Sequence, residues 1–146
     1  MDGTGVDAMG ARAVAYLARV LEVVLGDAGL SLPQYRLLSY LSRGSSAASP
    51  AARQLATSRP SVTALVDGVV AKGLVTRLPD AADRRRITLA LTPDGFAAVE
   101  RADVAVTSRL GAIASHLAPE DAERAVAALG LWLEALRAEA SVGSSR

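Results

Sequence analysis

Apolar residues recur at helical spacing along most of the chain. Val14, Leu17, Val20, Leu21, Val24 and Leu25 fall on one broad face over residues 8–25, because positions three and four apart share a side of a helix. Gly26 and Gly29 end that helix. Ser31-Leu32-Pro33 opens a second one, with proline near its first position. Its apolar set is Tyr35, Leu37, Leu38 and Leu41, and Arg43-Gly44-Ser45-Ser46 closes it. Ser49-Pro50 starts a short helix over 50–56. Thr57-Ser58-Arg59-Pro60 is a tight connector and a new cap. The helix from about 60 to 72 that follows buries Val62, Leu65, Val66, Val69 and Val70. Gly73 stops it, with Lys72 at the negative end of the helix dipole.

The period then changes. Leu74-Val75-Thr76-Arg77-Leu78 is a short β-branched run, Pro79-Asp80-Ala81-Ala82-Asp83 is a turn, and Ile87-Thr88-Leu89-Ala90-Leu91 alternates large apolar with small or polar residues. Two short strands around a turn make a hairpin, whose long loop should project. Thr92-Pro93-Asp94 caps a long helix to about 116, and Leu117-Ala118-Pro119-Glu120-Asp121 breaks and restarts it as a last helix to about 139. The tail 141–146 is expected to fray. The prediction is a mainly α chain with a small β-hairpin (α+β).

Composition narrows the chemistry. With 51% apolar residues the chain can bury a core and is not disordered. Cysteine is absent, so disulfides, thiolate nucleophiles and cysteine-based metal or redox sites are excluded. One histidine, His116, excludes a multi-histidine zinc site and is read as a helix-end residue; no metal and no cofactor are expected. No apolar run reaches a membrane span, and the acidic start is no secretory leader, so a soluble cytoplasmic protein is expected. No paired carboxylates with a base, phosphate-cradling glycine loop or nucleophile with a histidine partner point to an enzyme.

The net charge of +1 hides a segregation: residues 36–95 carry eight Arg, one Lys and four Asp, net +5, between two flanks of −2 each. A basic middle suggests a polyanion-facing surface. Fifteen of the sixteen cations are Arg, the better fork for phosphate and guanine edges. A GC-rich genome explains the preference for Arg over Lys, but not the clustering.

Helix, tight turn, helix and hairpin is the helix-turn-helix pattern with a wing, whose second helix can place its first residues in a major groove. Ser58-Arg59-Pro60-Ser61-Val62-Thr63-Ala64-Leu65-Val66-Asp67, Lys72-Gly73-Leu74-Val75, Asp83-Arg84-Arg85, Leu91-Thr92 and Gly95 resemble the MarR family of bacterial winged helix-turn-helix regulators. The likeness is strongest over 32–96, and helix order extends it across nearly the whole chain. Two departures stand out: the stretch Ala51-Ala52-Arg53-Gln54-Leu55-Ala56 lacks one large side chain before the turn, and Gly68 replaces a long polar residue in the recognition helix.

The resemblance implies a single domain over 1–146, with dimerisation helices in 6–30 and 96–140 around a DNA-binding lobe at 32–95. It implies a homodimeric, sequence-specific transcriptional regulator, a repressor rather than an activator, on a pseudo-palindromic operator. It also points to release by a small aromatic or anionic effector. Arg59, Ser61, Thr63 and Ala64 are expected at base edges, with Ser58 and Pro60 opening the helix. Arg53, Lys72 and Arg77 are candidate phosphate contacts. Among Arg84, Arg85 and Arg86, one or two enter the minor groove, while Asp83 shapes the wing by pairing with Arg85. Strand alternation would put Arg84 and Arg86 on one side and Arg85 on the other. The plain alternatives are a solvated helix face and a screened arginine cluster. Trp132, Leu129, Leu133 and Leu136 form an apolar stripe in the last helix, either internal core or dimer seam. Tyr16, Tyr35, Tyr40, Arg12 and Arg19 could line an effector cleft, but core packing suits most of them better, and no ligand site is assigned. The rival function is a winged-helix protein-interaction module without DNA binding, for which reversing the charges of Arg84 and Arg86 would change nothing.

Overall fold

The computed structural model describes Gly5 and residues 7–44, 46–47 and 59–143, with backbone alone for 46–47, 59–60 and 140–143. The expected short helix over 50–56 and the connector before Arg59 lie outside the described residues. The chain divides into two compact units, Met1–Val106 and Thr107–Arg146. The first holds helices α1 (Ala8–Asp27), α2 (Leu32–Leu41) and α3 (Arg59–Ala71), and strands β1 (Ser46–Ala47), β2 (Val75–Pro79) and β3 (Ile87–Leu91). Helix α4 (Pro93–Ala114) begins there and ends in the second unit, which also holds α5 (Pro119–Gly143). This is the mainly helical chain with a hairpin that the periodicity predicts. Among the described residues no helix is long and apolar enough to cross a membrane.

Local chemistry sets the helix ends. The Asp7 carboxylate accepts from the Gly10 amide at 2.8 Å and starts α1. Gly29, at φ +79°, reverses the chain after it. There the Gly29 amide donates to the Gly26 carbonyl and the Leu30 amide to the Leu25 carbonyl, the paired bonds of a Schellman end. Leu25 and Leu30 are both buried under that reversal. Ser31 and Gln34 then form a reciprocal capping box at the start of α2. Helix α3 ends in the same way as α1, at Gly73 with φ +71°, through bonds from Gly73 to Val70 and from Leu74 to Val69.

The core lies between these helices and the sheet. Leu25, Leu37, Leu38, Leu41, Val69 and Leu89 are almost wholly shielded, and each such side chain contributes roughly 1.5–3 kcal/mol by leaving water. Val62, Val66 and Val69 form the buried stripe of α3. Leu65 and Val70, also expected inside, are half-buried at its edges. Helix α4 lays Ala98, Val99, Ala102 and Val106 against the lobe. Tyr35 of α2 donates its hydroxyl to Asp103 of α4 at 2.5 Å. Burial first, and then that carboxylate, push its phenol up to about 12.

The sheet has three antiparallel strands in the order β1-β3-β2. In the hairpin Val75 pairs with Leu91 and Pro79 with Ile87. β1 departs from the sequence reading, which had Ser46 closing the second helix; Ser46 and Ala47 pair with Leu89 and Thr88 instead. Two residues are too few for any period, so the strand exists through its neighbour. At the hairpin's other end Gly95 packs so closely that an added Cβ would stand 2.1 Å from the Leu74 carbonyl oxygen. Thr92 completes the junction. Its amide donates to the Leu74 carbonyl at 3.1 Å, and its hydroxyl donates to the Gly73 carbonyl at 2.7 Å and accepts from the Gly95 amide at 3.0 Å.

In the second unit α5 runs to Gly143, beyond the expected end near 139, because neither glycine nor proline stands between residue 139 and that glycine. Glu120 and Asp121 occupy its first turn, and Asp121 pairs with Arg124 at 2.8 Å. Its large apolar side chains Val126, Leu129, Leu131, Trp132, Leu133 and Leu136 are all exposed.

Candidate nucleic-acid interface

The buried valine stripe of α3 fixes which residues look outward. Ser61, Thr63, Ala64 and Asp67 are exposed on the remaining surface of the helix. Arg59 and Pro60 form its first turn. Ser58 and Arg53, two further expected contacts, lie outside the described residues. Gly68 is half-buried, and a Cβ there would meet Gln34 of α2 at 3.4 Å. The position therefore lies beside α2, at the edge of the helix's exposed face.

Two of the expected phosphate contacts are engaged inside the lobe. The Lys72 ammonium donates to the Gly29 carbonyl at 2.8 Å and to the Gln34 side-chain oxygen at 3.0 Å. It ties the end of α3 to the turn between α1 and α2. Arg77 of β2 forms an ion pair with Asp67 of α3, which fastens the hairpin to the helix. The sequence reading has Asp67 only as the last residue of the Ser58-to-Asp67 stretch.

The hairpin tip spans residues 80–86. Arg84, Arg85 and Arg86 are all exposed there. They do not alternate as strand residues, because β3 begins only at Ile87. Instead the Arg86 amide donates to the Asp83 carbonyl at 2.8 Å, closing a four-residue turn with Arg84 and Arg85 at its corners. Asp83 does shape this turn, but through the main chain: its carboxylate accepts from the Arg85 amide at 3.0 Å, while its ion pair is with the Arg86 side chain at 3.9 Å.

A residue not singled out in the sequence organises the rest of the tip. The Asp80 carboxylate accepts from the Ala82 amide at 2.7 Å, the Asp83 amide at 3.1 Å and the Thr88 hydroxyl at 3.5 Å. The Asp80 amide donates across the loop to the Arg86 carbonyl at 3.0 Å. The Ala82 and Asp83 amides, with smaller help from Arg86 and Thr88, hold its carboxyl below the usual range. The available signal was Asp at the head of a turn, where its side chain bonds amides two and three residues on.

The residues considered for an effector cleft do not converge on the cleft seen beside Lys72. That cleft, of about 680 Å³, is lined by Glu22, Gly29, Leu30, Ser31, Gln34 and Lys72 among others, and by none of Arg12, Tyr16, Arg19, Tyr35 or Tyr40. Tyr16 is exposed and Arg19 pairs with Glu22 at 3.3 Å. Among the described residues no group of three or more His, Asp or Glu could hold a metal ion.

Residues 28–86 match the family model of the MarR family. The whole fold is similar to solved structures of that kind. A mutant of MarR from E. coli aligns at 21% identity over 93% of this chain and 98% of that one, with a TM-score of 0.76. NadR in complex with 4-hydroxyphenylacetate aligns at 26% identity over 93% and 95% of the two chains, with a TM-score of 0.70. A mutant of S. aureus MepR bound to an oligodeoxyribonucleotide aligns at 25% identity over 86% and 94%, with a TM-score of 0.64. Among curated proteins none matches the sequence.

Proposed function

We propose, from the match of residues 28–86 to the family model and from the similarity of the fold, that the chain is of the MarR family and is a transcriptional regulator that binds duplex DNA as a homodimer. The observation that carries this reading is that polar residues of α3 and the arginines of the hairpin tip are exposed together on neighbouring elements. The polar edge of α3 and the arginine-bearing hairpin tip belong to elements fastened together by the Arg77–Asp67 pair. The MepR structure bound to an oligodeoxyribonucleotide supports it.

In this reading Arg59, Ser61, Thr63 and Ala64 meet base edges in the major groove, and Ser58, Pro60 and the first amides of α3 meet a phosphate. Arg84 and Arg85, at the corners of the tip, reach the adjacent minor groove, and Arg86 stays with Asp83. Arg53 takes a phosphate. Lys72 and Arg77 keep their charge near the duplex while bonded inside the lobe, so they contribute long-range attraction and hold the lobe's shape. The exposed stripe Leu129, Trp132, Leu133 and Leu136 supports a seam with a second copy. Two copies would read half-sites about 34–36 Å apart. Seated on a promoter in the cytoplasm of a bacterium, such a dimer represses by occlusion. A small aromatic or anionic compound releases it by favouring a different separation of the lobes; the NadR complex with 4-hydroxyphenylacetate supports that class of effector.

The test is selection of duplexes from a random-sequence pool by the purified full-length chain, followed by gel shift. Enrichment of a two-fold symmetric site is the expected result, and retention of no particular sequence at moderate salt would sink the reading. Sedimentation on the same material should give a dimer.

A further inference from the structure

The hairpin tip carries no apolar core of its own: residues 81–87 are all exposed. Its shape is therefore set by polar bonds, and those bonds converge on one side chain. The Asp80 carboxylate fixes the amides of Ala82 and Asp83, and reaches Thr88 on β3. Asp83, once placed, fixes the amide of Arg85 and closes the turn onto Arg86. The Asp80 amide bonds the Arg86 carbonyl and shuts the loop. Thus the corner residues Arg84 and Arg85 are held at one remove by Asp80, which touches neither side chain.

The sign of its charge sharpens the point. A carboxylate in an arginine-bearing tip opposes attraction to a polyanion. On electrostatics alone, the chain would grip DNA better without it. The amides it binds keep it ionised, since they lower its pKa.

We infer that Asp80 is the positioning residue of the tip: through main-chain bonds it sets where Arg84 and Arg85 stand, and it thereby strengthens the grip on duplex DNA although its own charge opposes it. The inference rests on the DNA-binding reading and names the residue that prepares the wing for it.

The experiment compares the full-length chain with Asp80→Ala and Asp80→Asn on one duplex, chosen by the unaltered chain from a random pool. Both variants lose the charge, and only asparagine keeps an oxygen for the amides of Ala82 and Asp83. The expected result is binding about tenfold weaker for Asp80→Ala, as for one displaced arginine contact, with Asp80→Asn recovering most of it. Equal or tighter binding by both variants would overturn the inference, since that is what charge removal alone produces.

Amide hydrogen exchange in the absence of DNA supplies a second measurement. In Asp80→Ala the amides of Ala82, Asp83 and Arg85 should exchange faster while those of Leu37 and Val69 in the core stay protected. Unchanged protection at the tip would also overturn the inference. If the unaltered chain selects no duplex, the DNA-binding reading fails by itself, and the exchange result still decides whether Asp80 holds the tip.

Discussion

The lobe and the last helix treat their apolar residues in opposite ways. In the lobe Leu37, Leu38, Leu41 and Leu89 are sealed inside, and what remains outside on α3 and the hairpin tip is polar or small, or charged. On α5 Leu129, Trp132, Leu133 and Leu136 stand in the open, Trp132 at 57% exposure. The surface of α3 and the tip is polar, whereas that of α5 is apolar and open. Stability in the lobe should therefore depend on the chain alone, whereas the stripe on α5 should matter through concentration.

Leu37→Ala should separate the two regions most clearly. It empties a fully shielded position and should cost about 3 kcal/mol of unfolding free energy in urea titrations. Gly95→Ala comes next, at about 2 kcal/mol or more, because its methyl would collide with the Leu74 carbonyl oxygen, which is main chain and cannot swing aside. Trp132→Ala should behave differently. We expect little loss of lobe stability but self-association weaker by about 2 kcal/mol, seen as a raised dimer dissociation constant in sedimentation. A Trp132→Ala variant that unfolds at all concentrations alike would erase the contrast. Arg84→Ala is smaller still, and should weaken duplex binding about tenfold in gel shift, the loss of one arginine contact.

The mildest effect is at high pH. Tyr35 has its phenol raised to about 12 from 10.0. A raised folded value means the unfolded chain gives up its proton first. The associated stability is whole below pH 10, and is lost as the pH climbs through about 12. Absorbance titration of phenolate should show a late step near pH 12, and Tyr35→Phe should remove it.

Much of this architecture is written in local patterns. The valine stripe of α3, the glycine stops at Gly29 and Gly73, the cap at Thr92 and the full span of β3 follow from spacing and residue type. What escapes is what only contact creates. β1 has no period, and the Tyr35–Asp103 bond joins residues 68 positions apart. That Gly68 lies beside α2 is visible only in the fold. The arginine triplet invites a strand argument because β-branched residues follow it, yet the Asp83–Arg86 bond makes a corner there. For the candidate site, residue types were legible but their duties were not: Lys72 and Arg77 are committed to neighbours that the sequence does not announce.

The hairpin is bolted at one end only. Gly73, Leu74, Thr92 and Gly95 lock its base, whereas among the described residues the stretch from Asp80 to Arg86 is hydrogen-bonded within itself and to β3. Insertions and deletions between Pro79 and Ile87 should therefore leave the lobe folded while displacing the arginines that Asp80 sets, and should break the fold a few residues away. So far as folding is concerned, the length of the arm could drift in descendants of this chain, while the direction in which it is aimed is inherited.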